Sequence, residues 1–83
     1  MKAVVNVYLK EGVLDPQGKA VHHALDSLGF SGVKDVRIGK QIVIELEANS
    51  KEEALKELED MSETLLANTV IEDYNIEIVE WKR

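Results

Sequence analysis

The stretch GVLDPQGKA, residues 12–20, contains the change from loop to helix around which the rest of the chain is arranged. Asp15 is a preferred N-cap residue, and Pro16 fits the next position because its missing N–H would be unpaired there in any case. Gly18 is unexpected, because glycine in a first helical turn costs up to about 1 kcal/mol relative to alanine. The pattern predicts a helix that begins at Asp15. Gly18 either indicates the close approach of another backbone or is simply tolerated at this joint.

A strand precedes this stretch, and an amphipathic helix continues from it. Residues 2–10 alternate in the period-2 pattern of a strand, with apolar side chains on both sides. Val21, Leu25 and Leu28 lie on one stripe of the helix, and Gly29 fits its C-terminal cap. The chain therefore begins with a strand and a helix that has one apolar face.

The next apolar residues predict a β-hairpin. Val36 and Ile38 share one face of its first strand. Ile42 and Ile44 share one face of its second strand. A two-residue turn would place these two sets on opposite faces of the sheet. We therefore expect residues 39–41 to form the loop, which pairs Ile38 with Ile42.

Two basic residues, Arg37 and Lys40, lie near the tip of this predicted hairpin. In an acidic chain they form a small basic feature that suits an anionic ligand or an acidic patch on a partner. The alternative is a pair of solvated charges without a specific role.

The second half of the chain predicts one more helix and one more strand. Ser50 and Glu53 have capping-box spacing at the start of an amphipathic helix, and Asn68 fits its end. The apolar residues of this helix recur at three- and four-residue intervals and are Ala54, Leu55, Leu58, Met61, Leu65 and Leu66. Residues 70–81 then alternate as a final strand.

Composition excludes several kinds of chemistry. The 83 residues are expected to form a single domain, 1–83, and the absence of cysteine removes thiolate catalysis, thiolate zinc sites and disulfides. His22 and His23 point about 100° apart on a helix, so no metal site is expected. The formal net charge of -6 repels phosphate backbones, so nucleic acid is not an expected partner. No leader or membrane span is predicted, and we expect a cytoplasmic protein.

The order strand, helix, strand, strand, helix, strand is that of an α+β, two-layer ferredoxin-like βαββαβ sandwich. We expect a four-stranded antiparallel sheet with both helices on one face. The other face is unusually apolar for a surface in water, so we expect self-association through it. The residues expected there are Val4, Tyr8, Val43, Val79 and Trp81. RNA-binding and metallochaperone modules share this architecture, but their paired aromatic residues and paired cysteines are missing.

Three motifs carry a resemblance to a known family. They are the segment from Lys10 through GVLDPQGKAVHHALDSLGF, then VKDVRIGK, then LLANTVIEDY near the end. In this order and at this spacing they resemble the PurS family, the small subunits of phosphoribosylformylglycinamidine (FGAM) synthase in purine biosynthesis. The resemblance extends over nearly the whole chain.

The resemblance implies a non-catalytic subunit of a three-part ligase. In such a complex a glutaminase subunit releases ammonia, a synthetase subunit uses ATP and Mg to activate its substrate, and the PurS subunit bridges the two as a homodimer or homotetramer. The chain lacks a nucleophilic thiol and a phosphate-binding GxxxxGK[ST] loop, so no catalytic, cofactor-binding or metal-binding residue is expected in it. Candidate contacts with the catalytic subunits are Asp15, Gln17, Gly18, Arg37, Lys40, Asn68, Glu72, Asp73 and Tyr74.

The alternative function is a ligand-sensing module similar to the ACT domains, which also pair ferredoxin-like units. The glycine-containing loop at residues 12–18 would then bind a small amino acid or a nucleotide at a dimer interface. A saturable stabilisation by one such ligand, without any protein partner, would favour sensing.

Overall fold

A computed structural model describes residues 1–80 of the chain. The elements in chain order are β1 (Lys2–Leu9), α1 (Pro16–Ser27), β2 (Gly39–Glu45), α2 (Lys51–Met61), a π-helical turn (Ser62–Leu66) and β3 (Glu72–Glu80). The fold is therefore α+β, as the sequence predicts. Within the described residues no helix is long and apolar enough to span a membrane.

The three strands form one antiparallel sheet in the order β2-β1-β3. In this register Val5 of β1 lies between Ile42 of β2 and Ile76 of β3. The central strand β1 therefore pairs on both sides, whereas β2 and β3 each keep one free edge among the described residues.

The core lies between this sheet and α2. Its fully buried members come from one face of β1 and from α2 and its continuation, and they are Ala3, Val5, Val7, Leu58 and Ala67. Half-buried apolar residues of β2 and β3, with Met61 and Leu66, pack around them. The alternation predicted for β1 and β3 is confirmed.

The predicted hairpin is wrong, and the described sheet has three strands where the sequence predicts four. Residues 39–41 are not a loop but the start of β2, where Gly39 pairs with Tyr8 of β1. Residues 33–38 belong to no strand. At the end of this segment the Ile38 backbone amide donates to the Asp15 carboxylate at 2.8 Å, so it is bonded to the start of α1 and not to a strand.

Capping residues fix the two ends of α1 and the start of α2, as the sequence predicts. The N-cap side chains of Asp15 and Ser50 accept the backbone amides three residues later, at 2.9 Å and 3.1 Å. After α1, Gly29 has a φ of 99°, and the Phe30 amide bonds back to the Leu25 carbonyl at 3.0 Å, which completes a Schellman motif. Asn68 does not end its helix in the left-handed conformation expected of an asparagine cap, because positive φ angles among the described residues occur only at glycines.

The chain divides into two parts of different character. We call residues 14–38, which contain α1 and the unpaired segment after it, the arm, and the rest of the described chain the body. The arm lies beside the body rather than over its sheet, since α1 makes little contact with any other helix or strand. The molecule is consequently long and thin, with extents of 50 × 27 × 14 Å. The expected layout with two helices on one sheet face is not present in the single chain.

Candidate functional site

Asp15 holds the base of the arm together. Its two carboxylate oxygens accept the Gly18 amide at 2.9 Å and the Ile38 amide at 2.8 Å, so one side chain joins the start of α1 to the segment before β2. These hydrogen bonds, with that from Ile38 the stronger influence, lower the pKa of Asp15 below its ordinary 3.8. The carboxylate is buried and charged at neutral pH, and both oxygens are engaged within the chain.

Arg37 fastens the arm to the loop that leaves β1. Its Nη2 donates to the carbonyl oxygens of Lys10 and Val13 at 3.2 Å each and lies 3.5 Å from that of Leu9. The guanidinium also lies close enough to Asp15 to help keep that carboxylate ionised. The sequence suggests Arg37 as a positive charge for a ligand or a partner, but its guanidinium is hydrogen-bonded to its own chain.

Gly18 is explained by a close approach inside the molecule. A Cβ at this position would overlap the backbone carbonyl oxygen of Val36. Of the two interpretations that the sequence leaves open, the structure supports the close approach of another backbone, and the described chain supplies that backbone itself. The two motifs GVLDPQGK and VKDVRIGK thus meet at one place, which we call the junction (Asp15, Gly18, Val36, Arg37 and Ile38).

A cavity of about 270 Å³ lies next to the junction. Gln17 and Lys40 line it from the arm side and from β2, and Glu72 lines it from the start of β3. The Lys40 side chain forms no ion pair within residues 1–80. Of the candidate contact residues in this region, Gln17 and Lys40 are the exposed ones that the junction does not use.

The second group of candidate residues lies on a turn before β3. The Asn68 side chain accepts the Val70 amide at 3.2 Å, and the Asn68 amide donates to the Glu72 carboxylate at 2.7 Å. Asp73 pairs with Lys10 at 3.5 Å on the surface. The turn is therefore built from its own polar groups, and through Glu72 it borders the same cavity as Gln17 and Lys40.

Tyr74 connects this turn to the end of α2. Its hydroxyl donates to Glu63 at 3.0 Å. Partial burial, followed by the negative charges of Glu63, Glu59 and Asp60, raises the pKa of Tyr74 above its ordinary 10.0. The Tyr74 hydroxyl consequently stays protonated next to a cluster of carboxylates.

Sequence reasoning missed two exposed apolar side chains near this turn. Leu65 is 82% exposed and Val70 is 81% exposed. The periodicity of α2 places Leu65 in the core, but the π-helical turn adds a residue to one turn and rotates it outward. An apolar cavity of about 430 Å³ opens beside it, lined by Asp60, Met61, Thr64, Leu65 and Leu66. The sequence contains no signal for this turn.

The open sheet face carries the residues that the sequence expects for self-association only in part. Tyr8, Val43 and Val79 are 41%, 53% and 60% exposed. Val4 is buried instead, and Trp81 lies outside the described residues. Three of the five expected residues are therefore exposed, but a polar row of Gln41, Asn6 and Asn75 separates Tyr8 from Val43.

The described residues hold no group of three or more potential metal ligands. His22 Nε2 lies 2.8 Å from the Val33 carbonyl oxygen, so this imidazole joins α1 to the rest of the arm. The candidate residues around the cavity and on the turn before β3 therefore provide exposed contact area with a few polar groups.

Comparison with known proteins decides the family. The family model described as PurS, phosphoribosylformylglycinamidine (FGAM) synthase, matches residues 2–80. The chain belongs to the PurS family. This confirms the resemblance carried by the three motifs and decides against the ACT-like alternative.

Relatives within the PurS family match this chain over nearly its full length. The phosphoribosylformylglycinamidine synthase subunit PurS of Bacillus subtilis is 51% identical over 79 residues, which cover 95% of this chain and 93% of that protein. The crystal structure of Methanocaldococcus jannaschii PurS, a subunit of formylglycinamide ribonucleotide amidotransferase in the purine biosynthetic pathway, has a TM-score of 0.87 at 43% identity and 98% coverage of both chains. A chain of PurLQS from Thermotoga maritima has a TM-score of 0.85 at 34% identity, covering 92% of this chain and 93% of that one.

Proposed function

We propose that this chain is the bridging, non-catalytic subunit of an FGAM synthase that uses ATP, Mg and glutamine in the cytoplasm. The observation that carries the proposal is the likeness to a chain of the Thermotoga maritima PurLQS structure. The residue inventory supports it, because the chain contains no cysteine and no phosphate-binding loop with which to catalyse either half-reaction. Its contribution is to hold a glutaminase and a synthetase subunit so that ammonia passes between them.

The proposed contacts with those subunits are the two groups of residues described above, which meet at the cavity that Gln17, Lys40 and Glu72 line. At the junction, Gln17 and Lys40 are exposed, whereas Asp15, Gly18 and Arg37 serve the contact indirectly by fixing the arm. At the turn before β3 the candidates are Asn68, Glu72, Asp73 and Tyr74, with the exposed Val70 among them. Large exposed apolar side chains of this kind mark protein interaction sites when they cluster.

The chain is also proposed to self-associate, as a homodimer or homotetramer. The open sheet face supports this, since Tyr8, Val43 and Val79 are exposed there while the sheet's other face carries the core. Large aromatic side chains such as that of Tyr8 dominate the energy of such interfaces.

The bridging proposal is tested by reconstitution with purified glutaminase and synthetase subunits. Lys40→Glu and Val70→Asp each place a new charge at one proposed contact without touching a buried residue. Each should lower glutamine-dependent FGAM synthesis, because assembly weakens, and should leave ammonia-dependent synthesis by the synthetase subunit near its normal rate. Assembly is measured by analytical ultracentrifugation.

The matched control is Lys56→Glu, an equally exposed charge reversal on the outer side of α2. It should leave both activities and assembly unchanged. Normal assembly and normal glutamine-dependent activity in both test variants would remove these two surfaces from the proposal. Failure of the unaltered chain to assemble would overturn the bridging function itself.

A further inference from the structure

Three separate parts of the chain build the cavity next to the junction. Gln17 comes from the start of α1, Lys40 from β2 and Glu72 from the start of β3. Each of them lies in a different one of the three family motifs, GVLDPQGKA, VKDVRIGK and LLANTVIEDY. The motifs are far apart in the sequence, so the cavity is a shared product of all three.

Strand pairing places the two charged residues of the cavity on the same side of the sheet. Lys40 is paired with Val7 of β1, and Glu72 is paired with Leu9, two residues further along the same strand. Paired residues of antiparallel strands share a face, and residues two apart on one strand also share a face. Lys40 and Glu72 therefore flank β1 on the core side. Their Cα atoms lie about 12 Å apart for a strand spacing of ~4.8 Å and a rise of ~3.4 Å per residue.

The polar groups at the cavity are not used up by contacts within the chain. Lys40 and Glu72 form no ion pair with each other or with another residue among residues 1–80. One Glu72 carboxylate oxygen accepts the Asn68 amide at 2.7 Å, whereas the other oxygen and the Gln17 carboxamide have no hydrogen-bond partner in this part of the chain. A ligand can therefore bind these groups without breaking a contact within the chain.

Asp15 adds no open charge to the cavity, although it lines it. Both of its carboxylate oxygens accept backbone amides, from Gly18 and Ile38. The positive charge of Arg37 lies close enough to act on this carboxylate. The charges left open to a ligand are consequently one ammonium, on Lys40, and one carboxylate, on Glu72.

Part of the cavity wall is apolar and fixed in place. The apolar lining includes Val7, which is 1% exposed, and the half-buried Leu9 and Ile38. At Gly39 a Cβ would lie 2.7 Å from the Val7 carbonyl oxygen, so the β2 backbone is held close against β1 at this point. A site that is formed before the ligand arrives lowers the entropic cost of binding.

We propose that this cavity binds a free α-amino acid whose side chain ends in a carboxamide. The Lys40 ammonium binds the α-carboxylate, and the Glu72 carboxylate accepts hydrogen bonds from the α-ammonium, so both contacts are charge-assisted. The Gln17 carboxamide exchanges hydrogen bonds with the carboxamide of the ligand, since each such group both donates and accepts. The methylene groups of the ligand lie against Val7 and Leu9.

A ligand with both charges fits the cavity better than a ligand with one. A simple anion would be attracted by Lys40 but repelled by Glu72, and a simple cation would meet the opposite pattern. In an α-amino acid both charged groups are attached to one carbon, so a short molecule reaches both side chains. The size agrees, because a cavity of about 270 Å³ is smaller than the ~300–1,000 Å³ that holds drug-sized ligands.

This ligand site goes beyond the proposed bridging function and leaves that function in place. It differs from the ACT-like alternative because all of its residues come from one chain, and that chain is a member of the PurS family.

Nuclear magnetic resonance of the full chain, labelled with ¹⁵N, tests the proposal with L-glutamine as the ligand. The backbone amide signals of Gln17, Gly39, Lys40 and Glu72 should shift together and saturate with one dissociation constant. The signals of α2 should keep their positions. No saturable shift up to about 10 mM L-glutamine, ten times a dissociation constant of about 1 mM, would overturn the proposal.

Two smaller ligands show whether both charges are needed. The compound 4-aminobutanamide lacks the carboxylate of L-glutamine, and 4-carbamoylbutanoate lacks its ammonium. Each should bind at least about tenfold more weakly than L-glutamine, because a hydrogen bond to a charged group is lost. Equal affinity for all three compounds would contradict the assigned contacts.

Lys40→Met and Glu72→Gln remove the matching charges from the protein. Lys40→Met should weaken the binding of L-glutamine about tenfold but leave that of 4-aminobutanamide almost unchanged. Glu72→Gln keeps an oxygen for the Asn68 amide, and it should weaken L-glutamine about tenfold but leave 4-carbamoylbutanoate almost unchanged. Lys56→Met, at an equally exposed lysine of α2, is the matched control and should bind L-glutamine normally. Normal binding by all three variants would overturn the site.

The binding test uses the chain alone, so its result is independent of the bridging function. If L-glutamine does not bind and both cavity variants weaken assembly with the catalytic subunits, the two charges belong to a protein contact and the ligand site is wrong. If L-glutamine binds as expected and the unaltered chain fails to assemble, the ligand site stands and only the bridging function is wrong.

Discussion

The body and the arm of this chain treat their apolar residues in opposite ways: the body buries them, whereas the arm leaves many of them exposed. In the body, Val5, Val7 and Leu58 are almost fully buried, and the strand β1 that carries Val5 and Val7 is hydrogen-bonded on both sides. In the arm, an amphipathic helix and a strand-like segment of similar composition stay exposed. The difference agrees with the modest core that so few residues can build, since a chain of this length buries only part of its apolar surface.

The comparison also shows what three residues at the base of the arm do. Asp15, Gly18 and Arg37 make contacts that fix the direction of the arm, and none of them contributes to the core of the body. Their contacts join residues up to 28 positions apart in the chain. The arm is therefore a positioned element and not a loose tail.

The largest effect is expected in the body, from Leu58→Ala. Leu58 is fully buried between the sheet and α2, so removing its side chain should destabilise the fold by about 2–5 kcal/mol. Urea denaturation followed by circular dichroism measures the change. Leu55→Ala, on the same helix but 38% exposed, is the control and should cost much less. Equal losses in the two variants would mean that the body has no defined core.

A smaller effect is expected at the junction, from Gly18→Ala. The added methyl group would overlap the Val36 carbonyl oxygen, which is backbone and cannot swing aside, so the arm must shift at a cost of about 1–3 kcal/mol. Gly32→Ala is the control, because nothing lies within 4 Å of that position and its φ is not positive. Gly32→Ala should be neutral or stabilise by up to about 1 kcal/mol. A Gly18 variant as stable as the Gly32 variant would show that the close approach does not exist.

The smallest effect is local and depends on pH. Because the folded pKa of Asp15 is lowered, its hydrogen bonds stabilise the junction at any pH above the ordinary value of 3.8. That stabilisation declines as the pH falls from 3.8 through the folded pKa. Hydrogen exchange at the Ile38 and Gly18 amides should therefore lose protection in this acidic range. Asp15→Asn should abolish this dependence, and an unchanged acid transition in that variant would assign it to another group.

Much of the fold follows from short patterns in the sequence. The ends of α1 and the start of α2 were predictable because Asp15, Ser50 and Gly29 act on amides and carbonyls only a few residues away. β1 and β3 were predictable because their alternation reports directly on which side faces the core. These signals depend on neighbours in the chain, and the sequence contains those neighbours.

Two features could not be predicted from the sequence, each for a physical reason. Residues 33–38 form no fourth strand, and Leu65 is exposed instead of buried in the core. The hydrogen bond from Ile38 to Asp15 spans 23 residues, and no local pattern in the sequence indicates that the two residues meet. The π-helical turn at Ser62–Leu66 changes the angle between successive side chains, so a periodicity of 3.6 assigns Leu65 to the wrong side. The sequence did single out Asp15, Gly18 and Arg37 as unusual, but it assigned them to a partner, and the structure gives each a contact within the chain.

The central place of β1 has a consequence for chain cleavage. β1 comes first in the chain but lies between β2 and β3 in the sheet. A single proteolytic cut at the exposed residues Ser31 and Gly32 would leave β1 in one fragment and β2 and β3 in the other. The sheet itself would then hold the two fragments together, so a nicked chain should elute as one species until it is denatured.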